Sequence, residues 1–168
     1  MINILGNFAR LEELFLMLDA KLSEIDLAIQ SSADPDSDGL FDQSEYYVGL
    51  GFVAAQQYLV ETVIFSGLGK NKKAYKLGPR HRSGIAYVAA INSAADWWKH
   101  EAEWWVDLDI IKNSNATTVN NVLVISNSNS YQLSNLLFAL SNNKEIKLKC
   151  LLPIITEWEH ALTNWKNK

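Results

Sequence analysis

Along the first thirty residues the apolar positions Ile4, Phe8, Leu11, Phe15, Leu18, Leu22, Ile25 and Ile29 recur at alternating spacings of four and three. Such a heptad seam predicts one long helix of roughly 40 Å at 1.5 Å per residue, packing a single stripe as a bundle helix or a dimer strut. Arg10, Glu12, Glu13, Asp19, Lys21, Glu24 and Asp26 fall off the seam and are expected on its solvated side. Asp42-Gln43-Ser44-Glu45 has capping-box spacing and predicts a second helix starting there, with Glu45 reaching back to the cap. That helix is apolar around nearly its whole circumference to about Ser66, which places it at the bundle centre, and Gly67 and Gly69 end it. A third is expected from about Ser83 to Lys112. Tyr87, Ile91, Ala94, Ala95, Trp98, Ala102 and Trp105 make its core face, and Ala86, Ala90, Trp97, Trp104 and Ile111 make a second ridge that needs its own cover, a twin subunit being one source.

Beyond Asn113 the chain turns Asn- and Ser-rich. Val119 to Ile125 reads as helix or strand by propensity, and a short helix is the expectation. Ser130 is placed to cap a helix over Tyr131 to Leu140, and Pro153 suits the first turn of a final helix that buries Ile154, Trp158, Ala161, Leu162 and Trp165. The expected fold is therefore all-α, a bundle of about five helices in a single domain, 1–168.

Composition narrows this further. The 168 residues are 48% hydrophobic and 20% charged, enough apolar matter for a real core and too much for a disordered chain. Only 8 Gly and 3 Pro are present, so turn signals are sparse and long elements are favoured. A net charge of -4 argues against a protein that coats nucleic acid. Cys150 is the single cysteine, so no intramolecular disulfide can form and a cytoplasmic home is expected. Arg10, Glu12 and Glu13 interrupt the N-terminal segment before a secretory apolar core is complete. The apolar run Tyr46 to Phe65 carries Gln56, Gln57 and Glu61 at mid-depth, so no membrane span is expected.

Three constellations could carry chemistry. Asp34-Pro35-Asp36-Ser37-Asp38-Gly39-Leu40-Phe41-Asp42-Gln43-Ser44-Glu45 fits a calcium-loop template: carboxylates at Asp34, Asp36, Asp38 and Asp42, a carbonyl from Leu40, a bidentate Glu45, and Gly39 for the sharp turn. The same residues also suit an acidic interhelix turn in which Asp42 and Glu45 cap the next helix. Asp96, His100, Glu103 and Asp107 fall within about 60° of one another on the third helix, and with Glu157 and His160 opposite them they could ligate a transition metal; a solvated face with a Lys99–Glu103 pair is the plainer reading. Lys70, Lys72, Lys73, Lys76, Arg80, His81 and Arg82 form a basic segment around Tyr75 that could grip phosphates, or simply be a flexible solvated loop. Arg80, Arg82, Lys99, His100 and Glu103 are the ligand-binding candidates. Cys150 lies in an apolar run and reads as a core thiol.

The string Ala94-Ala95-Asp96-Trp97-Trp98-Lys99-His100-Glu101-Ala102-Glu103-Trp104, followed by Leu151-Leu152-Pro153 and Trp158, resembles a group of uncharacterised bacterial all-helical proteins and is distantly similar to HEPN-type helical domains, over roughly Ser83 to Trp165. The resemblance implies a dimeric helical bundle of the kind carried by bacterial accessory or mobile genes. HEPN RNases carry an Arg with a His a few residues later; His81, His100 and His160 have no Arg at that distance upstream, so RNase activity does not carry over.

These readings lead to an expectation of a non-catalytic binding or regulatory protein, self-associating and with an unknown protein partner. A calcium-binding module and an RNA-binding or RNase protein are the alternatives, nucleic acid being the less favoured ligand.

Overall fold

A computed structural model describes residues 4–106 and 116–167. Among these residues six α-helices occur: α1 Ile4–Ser31, α2 Leu40–Val63, α3 Tyr87–Val106, α4 Ala116–Ser126, α5 Gln132–Leu140 and α6 Leu151–Lys166. Single-turn 3₁₀ segments at Lys72–Lys76 and Leu148–Cys150 complete the chain, and an isolated antiparallel bridge, Arg80 with Ala86, closes one turn. The all-α bundle is the architecture that the periodicity predicts, with α4 as the short helix.

Helix α2 is the hub. It packs on α1, α3 and α5, while α4 lies on α3 and α5. Its Val48, Phe52, Ala55, Leu59 and Val63 are fully covered, as an all-round apolar helix requires. By length and composition the stretch Leu40–Leu68 could cross a membrane, yet 50% of its most apolar window is already buried against the other helices. Past Val63 the helix widens over Ile64–Leu68 and turns at Gly67 (φ 81°), close to the stop the sequence sets.

The α1 seam is confirmed at Leu11, Phe15, Leu22 and Ile25, all buried, with Phe8, Leu18 and Ile29 half-buried. Asp19 departs from its expected solvated side. Only 7% exposed, it accepts the backbone N–H groups of Leu148 (2.6 Å) and Lys149 (3.0 Å), capping the turn that leads into α6. On α3 both apolar ridges are covered within the chain: Ala86, Ala90 and Trp97 are buried as fully as Ile91, Ala94 and Ala95. A twin subunit is therefore not needed to cover the described part of that second ridge. Asp107, Ile111 and the expected end at Lys112 lie outside the described residues, as do the side chains of Ile4, Trp104 and Trp105.

The basic segment is not the wholly solvated loop that the loop reading expects, but packs part of its length against the bundle. Ala74 is fully buried, its carbonyl accepts Trp158 Nε1–H at 2.9 Å, and a Cβ at Gly78 would fall 3.1 Å from Trp158 Cα. Ala74 beneath the indole, together with Tyr75 and Leu77 packed on the core, seats the lysine-rich segment against the bundle.

Candidate acidic and aromatic pocket

The Asp-rich connection is built from its own side chains. Asp34 accepts from Ser37 N–H (3.2 Å) and Ser37 Oγ–H (2.7 Å), which draws its carboxyl below the usual range, and Asp38 accepts from Ser32 Oγ–H at 2.6 Å. Gly39 takes the left-handed conformation (φ 68°) and α2 starts immediately after it, at Leu40. The capping box is thus displaced. Asp42 lies inside the first turn, where its charge suits the helix dipole, and no side chain caps α2. Leu40, as the first residue of α2, commits its carbonyl to the helix.

Glu45 points across the fold instead of back. Its Oε1 accepts Leu133 N–H at 2.7 Å and its Oε2 accepts Ser134 N–H at 2.8 Å, satisfying the first turn of α5. Ser130 does not cap that helix; the N-cap is Tyr131, held at φ 49°. Burial pushes the Glu45 carboxyl up and the charge of Glu101 adds to this, with its hydrogen bonds opposing. The left-handed turn at Tyr131 directs its hydroxyl to Asp36, to which it donates, and that bond raises the phenol to about 12.

These contacts form the walls of one cavity of about 480 Å³, lined by Asp36, Asp42, Glu45 and Glu101 together with Tyr46, Trp98 and Tyr131. Its aromatic sides are packed ring against ring. Tyr46 meets Trp98 edge-on (5.6 Å, 66°), and Phe41 leans on Tyr131 (5.3 Å, 50°). Trp98 can lie on α2 only because residue 49 is glycine: a Cβ there would fall 1.8 Å from its Cδ1. A helix-weakening glycine in the middle of α2 is explained by that close approach.

The remaining candidate residues are dispersed. Among the described residues no group of three or more His, Cys, Asp and Glu is placed to hold a metal ion. Asp96 accepts from Gln56 Nε2–H (2.8 Å) and pairs with Lys99 (3.0 Å), Lys99 donates to Gln56 Oε1 (2.7 Å), and His100 pairs with Glu103 (3.1 Å) on an exposed stretch of α3. The network around Gln56 ties α2 to α3. Arg80 donates to the carbonyls of Lys76 and Gly84 and so braces its own turn, while Arg82 faces a different cavity, beside His81.

Of the pocket residues, Asp36, Asp42 and Glu45 are legible as chemistry in the sequence. Tyr46, Trp98, Glu101 and Tyr131 are not. Trp98 is readable only as a core position, and nothing local marks Tyr131 as facing a loop some ninety residues earlier. Comparison with known families, curated proteins and solved structures finds no match. The site's chemistry therefore rests on its residues.

Proposed function

We propose that the chain is a non-catalytic binding module whose pocket between the Asp-rich turn, α2, α3 and α5 takes an organic cation. One observation carries this reading: four carboxylates and three aromatic side chains line a single cavity, with no Lys, Arg or His among the described residues of its lining. The carboxylates of Asp36, Asp42 and Glu45 set a negative field, and aromatic faces attract a weakly hydrated cation by about 0.5–2 kcal/mol each. An alkylammonium group uses both. A hard cation such as calcium uses only the oxygens, and to recruit Glu45 it would strip α5 of two backbone acceptors.

Indole fluorescence during titration with choline tests the proposal. A saturable change that weakens by about threefold or more in Asp42→Asn supports it; Asp42 is exposed at the start of α2, so that variant should fold. No change at tens of millimolar choline contradicts it. Saturable calcium binding in its place would assign the turn to the metal.

The module also self-associates in this reading, through the outer face of α1 rather than through α3. Leu16, Met17 and Leu27 stand 61%, 66% and 63% exposed there. Around a dyad near Leu18 an antiparallel copy sets Leu16 against Ala20 and Leu27 against Ala9, large against small. Light scattering should give a dimer that dissociates in Leu16→Gln/Leu27→Gln, and a strict monomer at all concentrations would refute it.

A further inference from the structure

A second cavity, about 470 Å³, opens on another part of the molecule where α4 and α5 end beside the basic segment. Its character is opposite to that of the acidic pocket. The lining includes Arg82 and His81 and, among the described residues, no carboxylate, so its field is positive within a chain of net charge -4. Arg82 enters no ion pair among the described residues, and the turn that presents it is fixed by His81 N–H to Ile85 O (2.9 Å) and Gly84 N–H to His81 O (2.8 Å).

The tautomer of His81 follows from its neighbours. Its Nδ1 accepts Ser83 N–H at 3.3 Å and lies 2.8 Å from Ser83 Oγ. Burial and the adjacent Arg82 lower its pKa and favour the neutral ring, which then carries its proton on Nε2 as a donor. A guanidinium and an imidazole N–H side by side are the donors an anionic group requires.

The opposite wall is built differently. Ser126, the last residue of α4, is only 9% exposed, and its Oγ is buried with no hydrogen-bond partner. Buried hydroxyls are seldom left so, because an unmade bond costs its full desolvation. Asn135 spends its Nδ2 on the carbonyls of Ser130 and Tyr131, which leaves its Oδ1 as an acceptor. The C-terminal ends of α4 and α5 add partial negative charge on this side. Phe138 and Tyr87 supply flat apolar surface between the two walls.

We propose that this cavity binds a small monoanionic ligand with a neutral, hydrogen-bond-donating, planar body. The anion lies against Arg82 and His81, and the donors reach Asn135 Oδ1 and the helix ends. A single guanidinium matches a single negative charge. A phosphodiester in a cyclic mononucleotide and a carboxylate in an N-acyl amino acid share this chemistry.

Calorimetric titration of the full chain with 3′,5′-cyclic AMP and with N-acetylglutamine decides between those sources, with adenosine and N-acetylglutamine amide as their uncharged counterparts. The expected result is saturable binding of one anion and none of its uncharged counterpart. Arg82→Gln should weaken that binding by at least about tenfold, as the loss of a charge-assisted hydrogen bond does. Binding of neither anion at millimolar concentration, equal binding of the uncharged counterpart, or full retention in Arg82→Gln overturns the proposal.

Discussion

Glu45 on α2 accepts the backbone N–H of Leu133 at 2.7 Å, joining the Asp-rich turn to the start of α5 across 88 positions of sequence. With Ser134 taking its other oxygen, one carboxylate does for α5 what a local N-cap does for other helices. The same residue forms the floor of the acidic pocket, so folding of α5 and ligand binding share a group.

Removing it should expose both roles. Glu45→Ala leaves two N–H groups without an acceptor and should cost about 1–3 kcal/mol, read from the urea midpoint. The pH dependence carries a definite sign. Because burial raises the folded carboxyl above its unfolded value of 4.5, the folded state holds the proton more tightly. The contribution of Glu45 is therefore most favourable below pH 4.5 and declines as pH rises through the raised value. Stability of the wild type relative to Glu45→Gln should fall across that window, and a rise would show that the carboxyl is not desolvated.

Gly49→Ala tests how Trp98 is seated. An alanine gains up to about 1 kcal/mol of helix propensity, but its Cβ overlaps the indole at 1.8 Å. Overpacking of that kind costs about 1–3 kcal/mol, so a lower melting temperature and a shifted Trp emission are expected. Unchanged emission with higher stability would mean that the indole does not rest on α2.

Helix existence was legible because burial follows the 3.6-residue period: α1, α2 and α6 cover the faces their patterns nominate, and α3 covers its own as far as Trp98, whereas Ala102, expected in the core, is exposed. What could not be read were the caps. Asp19 and Glu45 look like ordinary surface acids or local caps, yet their partners Leu148 and Leu133 lie 129 and 88 residues away. Capping-box spacing at Asp42 and Glu45 competes with a glycine that can take a left-handed turn, and Gly39 sets the start of α2. The pocket was legible only on its acidic side, since a tryptophan at a core spacing gives no sign that one edge faces a cavity.

Cys150 should be a poor nucleophile. Burial, with Asp19 and Glu145 nearby, pushes its thiol up to about 12. At pH 8 the folded protein should react with Ellman's reagent far more slowly than the protein in guanidinium, and equal rates would contradict the half-buried placement.

Trp158→Phe should loosen the basic segment while keeping most of the ring's bulk. The substitution deletes the bond from Nε1 to the Ala74 carbonyl, and limited trypsin digestion should then cut faster between Lys70 and Lys76. Cleavage there at the wild-type rate would show that other contacts hold the segment.

The account rests most heavily on charge recognition in the acidic, aromatic pocket. Calorimetric titration with choline beside its uncharged isostere 3,3-dimethylbutan-1-ol, at low ionic strength and pH 7, measures this directly. Saturable heat with choline and none with the alcohol is the predicted result; equal heats, or none from either, would contradict it.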